Sequence, residues 1–227
     1  MIRESRRAAL GLLYEVLGRN LDEWLDLPPL QDFSPGELVI LLNMLERRVR
    51  CISTTSVGRL FDGMAALIGL KQTVTFEGQA AMQLEFLLEE LTPDEEAEHH
   101  FYHIGVHENI LDWRLLLEEV VKDLRAGVSI RRIALRFHRA LVEALIMVAR
   151  SAAQTRVLLS GGCFQNRFLL ETAVRRLQQE GFEVFWHRNL PPNDGGISVG
   201  QILAASQVLQ GGQSCKASEL SVTSGHS

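Results

Sequence analysis

The stretch RVLLSGGCFQN, residues 156–166, decides the fold of the last third of the chain. It opens with a short apolar run of the kind that forms a buried parallel strand. Two glycines follow, and a helical pattern then runs from about Asn166 to Glu180, where Gly181 ends it. A second apolar run, Phe182 to His187, predicts another strand. Strand, helix and strand in this order predict two parallel strands joined by a right-handed crossover.

The preceding two thirds of the chain carry mainly helical patterns. In Ser34-Pro35-Gly36-Glu37, Ser34 has the features of an N-cap and Pro35 those of the first helical residue. Ser129 predicts a second N-cap, and His99 to Val106 predicts a strand. We expect a final helix over Ile197–Leu209 and a disordered tail over 211–227. The other helices are predicted over 8–17, 21–27, 34–48, 55–69, 77–91, 112–125 and 129–148, with Pro28-Pro29 ending the second of them.

Composition narrows the class of protein. The chain has 227 residues, of which 46% are hydrophobic and 22% charged, values typical of a soluble globular domain. Its net charge is −5, which argues against a nucleic-acid partner, because such partners usually meet a basic surface. The apolar runs are too short to span a bilayer. Three widely spaced cysteines do not form a disulfide framework, so we expect a cytoplasmic, reduced protein.

Gly161 and Gly162 are the strongest local signal for a ligand. Glycines after a buried strand let the backbone approach a ligand closely, and the N-terminus of the next helix offers unpaired N–H groups to an anion. A tight strand-to-helix turn explains the pair equally well. The loop Pro191-Pro192-Asn193-Asp194 follows the second strand, so both loops should meet at one edge of the sheet. Asp194 could hold a cation there, although capping the final helix is a commoner role for it.

Two further segments carry acidic residues at helical spacing. Gly58 and Asp62 are four apart and share a helix face, where a small residue clears space and a carboxylate can meet ribose hydroxyls. Glu77 stands in the first turn of a predicted helix, where the helix dipole alone favours it. A glycine at a helix crossing and a solvated aspartate would also explain the first pair.

Histidines and a cysteine offer alternatives that we consider weaker. His103 and His107 form an HxxxH pattern with His99 four residues earlier, but an extended segment holds such residues about 13 Å apart, too far to chelate one ion. His138 lies on an apolar helix face and is expected to be a satisfied core histidine. Cys163 is expected to be a small packing residue rather than a nucleophile.

Five motifs follow one another along the chain: TSVGRLFDGMAALIGL (55–70), FEGQAA (76–81), IALRFH (133–138), SGGCFQNR (160–167) and PPNDGGI (191–197). In this order they resemble one family, the hydrogenase-maturation carbamoyltransferases (HypF), in their C-terminal part. More distantly the chain is similar to the tRNA threonylcarbamoyl transferases. The resemblance spans about Arg3 to Leu209.

The resemblance implies an α/β lobe of the actin/sugar-kinase (ASKHA) ATPase type, mainly helical in its first two thirds with a small parallel sheet near the C-terminus. It implies ATP and a carbamoyl-adenylate as ligands and transfer of the carbamoyl group to the C-terminal cysteine of an acceptor protein, HypE. By motif, the ribose would meet Asp62 and Glu77, with Gly58 beside them. The phosphates and adenosine would meet Gly161, Gly162 and Asn166, and the metal would meet Asp194.

The family's other domains, and the two histidines of its metal site, have no counterpart in these 227 residues. We therefore expect residues 1–210 to form the second lobe of a transferase domain that needs a first lobe, or an upstream HypF-like polypeptide, for activity. A divalent metal (Fe, Zn or Mg) would bind only once that lobe completes the site. The alternative is an inactive module that docks a hydrogenase-maturation partner. The face toward the absent lobe should be apolar.

Overall fold

The computed structural model describes residues 3–107 and 110–219, with side chains described as far as Leu209. Helices dominate, and the strands form two small pairs. The helices are α1 (Ser5–Leu17), α2 (Pro28–Gln31), α3 (Pro35–Glu46), α4 (Val57–Leu67), α5 (Gln79–Phe86), α6 (Pro93–Ala97), α7 (Arg114–Arg125), α8 (Ile130–Ser151), α9 (Arg167–Gln179) and α10 (Ile197–Glu219). The strands are β1 (Gly105–His107), β2 (Ile110–Asp112), β3 (Arg156–Leu159) and β4 (Glu183–Trp186).

The central core forms where α1 crosses α4. Every residue of α4 from Phe61 to Leu67 is buried, which is unusual for a helix of a small domain. Gly63 makes the crossing close: a Cβ atom at this position would lie 2.4 Å from Leu12 Cδ1 and 3.4 Å from the backbone of Ala8. The absence of a side chain at Gly63 therefore lets the two helices approach each other.

Helices α7 and α8 are joined by a charged network around Arg136. Its guanidinium donates to Asp123 Oδ2 at 2.6 Å and to Glu98 Oε1 at 2.6 Å. The hydroxyl of the buried Tyr102 donates to Asp123 Oδ2, also at 2.6 Å. Burial and this bond raise the pKa of Tyr102. The network holds the extended segment before β1 against the α7–α8 pair.

The C-terminal unit confirms the predicted order of strand, helix and strand. Strands β3 and β4 are parallel, with Val157 beside Val184 and Leu158 beside Phe185. One face of the pair packs on the core through Leu159 and Val184. Because side chains alternate along a strand, Leu158 and Phe185 point to the opposite face, where both are exposed.

Helix boundaries were predicted well where a cap marks them. Ser34 accepts from Glu37 N–H at 3.3 Å and Ser129 from Arg132 N–H at 3.3 Å, so both predicted N-caps are confirmed. The prediction for Pro28-Pro29 is wrong: these residues begin α2 instead of ending a helix, because proline is also favoured in a first turn. Residues 21–27 hold only the 3-10 turn Asp22–Trp24.

Three other segments differ from the prediction. Helix α5 begins at Gln79, after Gly78 with φ +80°, so Glu77 lies in the preceding turn and not in the helix. The strand expected over His99–Val106 is confined to β1, which pairs with β2 through backbone bonds that the sequence pattern did not reveal. Helix α10 continues to Glu219, because its glycines weaken a helix without removing a hydrogen-bond donor. Residues 211–219 of the expected disordered tail are thus helical, and 220–227 lie outside the described residues.

Candidate functional site

The loops that follow β3 and β4 are joined to each other, as expected for parallel strands. Gly161 N–H donates to the carbonyl of Pro192 at 2.9 Å. One residue earlier, Ser160 Oγ lies 3.0 Å from His187 Nε2. These contacts bring the Gly161–Gly162 turn and the 191–196 loop to one edge of the sheet, the usual position of ligands in open α/β folds.

The Gly161–Gly162 turn has open space around it. Gly161 has φ +108°, a conformation that favours glycine, and an added Cβ atom would meet nothing within 4 Å. The nearest atom to a Cβ at Gly162 is Asn193 Cβ, at 3.9 Å. The 3-10 turn Gly162–Gln165 starts here and leads into α9. Both glycines are exposed, so a ligand can reach the backbone of this turn.

Asp194 lies in the second loop with its carboxylate exposed. It does not cap the following helical segment. That role belongs to Asn193, whose Oδ1 accepts from Gly195 N–H at 3.0 Å. A Cβ at Gly196 would lie 3.0 Å from the carbonyl oxygen of Pro191, so the glycine pair makes the tight loop possible. Within the described residues, no group of three His, Cys, Asp or Glu side chains is arranged to hold a metal ion.

An acidic cluster borders the Gly161–Gly162 turn. Asp62, on α4, is 4% exposed, and its Oδ2 lies 2.8 Å from Arg59 Nη1. Burial raises the pKa of Asp62, the Arg59 charge opposes this, and the nearby Glu77 raises the pKa further. Glu77 is exposed, and Gly58 is half-buried in the first turn of α4.

Cys163 faces the same cluster from the 3-10 turn. Burial raises the pKa of its thiol, with the charges of Arg59 and Asp62 acting in opposite directions. The thiol therefore stays protonated at neutral pH, which agrees with a packing residue and not with a nucleophile. The charge of Glu77 raises the pKa of Asp62, and the charge of Asp62 raises that of Cys163, so the predicted ribose and phosphate segments lie near one another.

The first turn of α9 is not open to an anion, contrary to our expectation. Arg167 N–H donates to Glu85 Oε1 at 2.6 Å, and Leu169 N–H donates to Asn166 Oδ1 at 2.8 Å. A carboxylate from α5 and the capping amide thus take up donors that we expected to be unpaired. The physical reason is a tertiary contact between residues that are 82 positions apart.

Asn166 is buried and bound on its second side by His138. Nδ1 of His138 lies 2.7 Å from the carbonyl oxygen of Ala134, so Nδ1 carries the proton and Nε2 accepts. Asn166 Nδ2 donates to that Nε2 at 3.0 Å. The ring stands edge-on to Phe61 and Phe168. Burial lowers the pKa of His138 to about 4, so the core histidine is neutral and fully hydrogen-bonded.

His103 and His107, the histidines of the HxxxH pattern, contact residues outside this site. His103 Nδ1 is 2.8 Å from Glu119 Oε1 on α7. His107 ends β1 and lies near Asp112, whose pKa is lowered mainly by its hydrogen bonds with Arg114 and, to a smaller extent, by His107. Both side chains therefore have carboxylate neighbours on the hairpin and on α7.

Two exposed apolar side chains on the strand pair form what we call the outer face: Leu158, 68% exposed, and Phe185, 44% exposed. They lie side by side on β3 and β4. Helix α10, which starts directly after the second loop, also carries exposed apolar side chains, namely Ile197, Ile202, Leu203, Val208 and Leu209. Exposed apolar side chains that lie together are typical of a contact surface.

Two residues of the site were not anticipated. Arg59 neutralises Asp62 and stands three residues before it, a spacing that could have revealed it. Glu85 had no local signal, because its partner is in a distant helix. With these additions, the site offers an exposed glycine turn with open space around it, a buried carboxylate paired with a guanidinium, and two further carboxylates. Among the described residues, no helix has the length and apolarity needed to cross a membrane.

Comparisons with known proteins define the class first. A family model described as the second subdomain of the carbamoyltransferase Kae1-like domain matches residues 1–201. A solved structure of full-length HypF in the phosphate- and nucleotide-bound form superposes with a TM-score of 0.79 at 33% identity, covering 92% of this chain and 32% of that one. The fold is therefore that of the second subdomain of a Kae1-like carbamoyltransferase domain.

Sequence relatives identify the family within this class. The chain is 42% identical over 171 residues to carbamoyltransferase HypF of Synechocystis sp., a match over 74% of this chain and 22% of the relative. It is 34% identical over 188 residues to HypF2 of Cupriavidus necator, covering 72% of this chain and 23% of the relative. The chain belongs to the HypF carbamoyltransferase family, as its motifs indicated, and spans less than a quarter of the length of these relatives.

Proposed function

We propose that this chain is the nucleotide-binding half of a carbamoyltransferase site that serves [NiFe]-hydrogenase maturation. In this proposal the lobe has the actin/sugar-kinase type of fold, and the ligand is ATP or the carbamoyl-adenylate formed from it. The acceptor is a maturation protein with a C-terminal cysteine, HypE. Membership of the HypF family supports the reaction class. The nucleotide-bound state of a relative that is 33% identical supports the ligand.

One observation carries the ligand assignment: an open glycine turn stands beside a buried carboxylate at the carboxyl ends of parallel strands. In our proposal the backbone of Gly161 and Gly162 binds phosphate oxygens. Asp62 and Glu77 bind ribose hydroxyls, and Gly58 leaves room for the sugar. Asn166 keeps one N–H of its amide for the nucleotide, since the other donates to His138 and its oxygen caps α9.

The metal requires a second lobe. Asp194 has the exposed carboxylate that a divalent cation accepts, but a single carboxylate is one ligand. We propose that Asp194 completes a site whose remaining ligands belong to the first lobe. The metal would neutralise phosphate charge there. In this chain, the role of Asp194 is to present its oxygen beside the Gly161–Gly162 turn.

Asp62 provides the direct test of nucleotide binding. We expect calorimetric titration of the chain with ATP and Mg²⁺ to give weak binding, because in this proposal these residues supply one wall of the cleft. Asp62→Asn keeps the shape of the side chain and removes its charge, and we expect it to abolish the signal. Asp22→Asn changes an exposed carboxylate outside the cluster and should leave the signal unchanged. No binding by the unmodified chain would refute a nucleotide site in this lobe.

The outer face supports dependence on a first lobe. Exposed Leu158 and Phe185 are unfavourable in water, and burying them would stabilise an assembly. Mixing this chain with a polypeptide that carries the first lobe should give a stable complex and ATP-dependent carbamoyl transfer. Complex formation without transfer, together with no ATP binding, would favour the second candidate, an inactive module that docks a maturation partner through this face.

A further inference from the structure

Glu85 contacts the N-terminus of α9 from a neighbouring helix. Arg167 N–H, the first amide of α9, donates to Glu85 Oε1 at 2.6 Å. The carboxylate is also stabilised by Phe168 N–H, the second amide. The third amide, of Leu169, donates to Asn166 Oδ1 at 2.8 Å. The first turn of α9 is therefore supplied with acceptors from within the protein.

The carboxylate is held in a partly buried position. Burial raises the pKa of Glu85, and the amides of Arg167 and Phe168 oppose that effect. A negative group is favoured at this position because the helix dipole places partial positive charge at the first turn of a helix. The dipole would favour a phosphate group in the same way, so Glu85 occupies the position that a bound anion would take.

The Gly161–Gly162 turn presents the opposite situation. Gly161 N–H is bonded to the carbonyl of Pro192, but a Cβ atom built at Gly161 meets nothing within 4 Å, and among the described residues no side-chain carboxylate is bonded to the backbone of this turn. The first turn of α9 therefore holds an internal carboxylate, whereas the glycine turn before it does not.

We infer that Glu85 is a positioning and specificity-determining residue. Its carboxylate excludes phosphate groups from the first turn of α9 and confines them to the Gly161–Gly162 turn. The same contact connects α5, which begins just after Glu77, to the helix that follows the glycine turn. Glu85 thus sets the distance between the ribose and phosphate positions. The inference rests on the proposed nucleotide site.

Inorganic phosphate and amide NMR of the labelled chain test the inference. In the unmodified chain, phosphate should shift the amide signals of Gly161 and Gly162 and leave those of Arg167 and Phe168 unchanged. In Glu85→Ala, phosphate should shift the amide signals of Arg167 and Phe168 as well, and the shift should saturate as the phosphate concentration rises. Phosphate that shifts Arg167 and Phe168 in the unmodified chain overturns the inference, whether or not the variant folds.

Two further variants test whether the carboxylate of Glu85 itself keeps phosphate away from the first turn of α9. Glu89→Ala removes an exposed carboxylate whose charge also raises the pKa of Glu85, yet it should not open α9 to phosphate. Glu85→Gln keeps an acceptor in place and should keep phosphate off α9. If Glu85→Ala folds and phosphate still leaves Arg167 and Phe168 unchanged, Glu85 has no excluding role. If phosphate moves to α9 in that variant while ATP binds to neither protein, the proposed nucleotide function fails and the role of Glu85 stands.

Discussion

Replacing His138 with glutamine removes a buried titratable group whose effect on stability follows from its surroundings. His138 is enclosed by aromatic rings, donates to Ala134 and accepts from Asn166. Its folded-state pKa of about 4 lies below the ordinary value of 6.5. Since the ring must stay neutral to accept from Asn166, protonation is far easier in the unfolded chain than in the folded one.

The sign and size of the pH effect can be worked out. With the pKa lowered in the folded state, the unfolded chain binds more protons below pH 6.5, so stability is full above that value and is lost as the pH falls toward 4. The whole difference is worth about 3 kcal/mol, and about 2 kcal/mol of it is lost between pH 7 and pH 5. Carboxyl groups titrate in the same range, but they are common to both proteins and cancel in the comparison.

Urea unfolding followed by circular dichroism at pH 7, 6 and 5 measures this effect. We expect His138→Gln to be less stable than the unmodified chain at pH 7, and the gap to narrow by about 2 kcal/mol at pH 5. His99→Gln, a change at an exposed histidine, should keep the slope of the unmodified chain. Parallel stability curves for His138→Gln and the unmodified chain would refute a neutral buried histidine.

Two further substitutions test the packing that supports the site. Gly63→Val forces a branched side chain against Leu12 at the α1–α4 crossing and should lower the free energy of unfolding by about 2 kcal/mol. Gly36→Ala, where an added Cβ meets nothing within 4 Å, should change the free energy of unfolding by less than about 1 kcal/mol. Equal losses in the two variants would contradict the close crossing. Arg136→Ala removes the guanidinium shared by two largely buried carboxylates, Asp123 and Glu98, which keep their contacts with Tyr102 and Arg132, and should cost about 2 kcal/mol. Arg114→Ala breaks an exposed pair and should cost less than about 1 kcal/mol in the same urea titration, so similar losses would argue against a buried network.

Local signals in the sequence predicted the C-terminal unit well. The apolar run of β3 and the glycines at 161 and 181 mark an element and its ends, because each acts through the backbone of its own neighbours. Ser34 and Ser129 cap helices for the same reason. Such features depend on residues within one turn of each other, so a single sequence contains the information that they need.

Long-range pairing is what the sequence pattern could not supply. Pro28 is compatible with either end of a helix, and only the packing of α2 decides between them. The bond from Arg167 N–H to Glu85 joins distant helices, and no spacing rule relates the two residues. The expectation of an open helix end at α9 was reasonable from local rules and was wrong for this reason. The strand β1 likewise depends on its partner β2 more than on its own residues.

These contacts also bear on why we expect weak nucleotide binding by this chain. The N-terminus of α9 is held on one side by Glu85 and on the other by His138 through Asn166, and the turn before it is tied to Pro192. A turn restrained from three directions does not have to be ordered by its ligand, so little affinity is lost to ordering. We therefore expect the additional affinity for ATP to come from contacts with a second wall of the cleft and from the water that this wall excludes. A first lobe bound to the outer face would then raise ATP affinity without altering the Gly161–Gly162 turn.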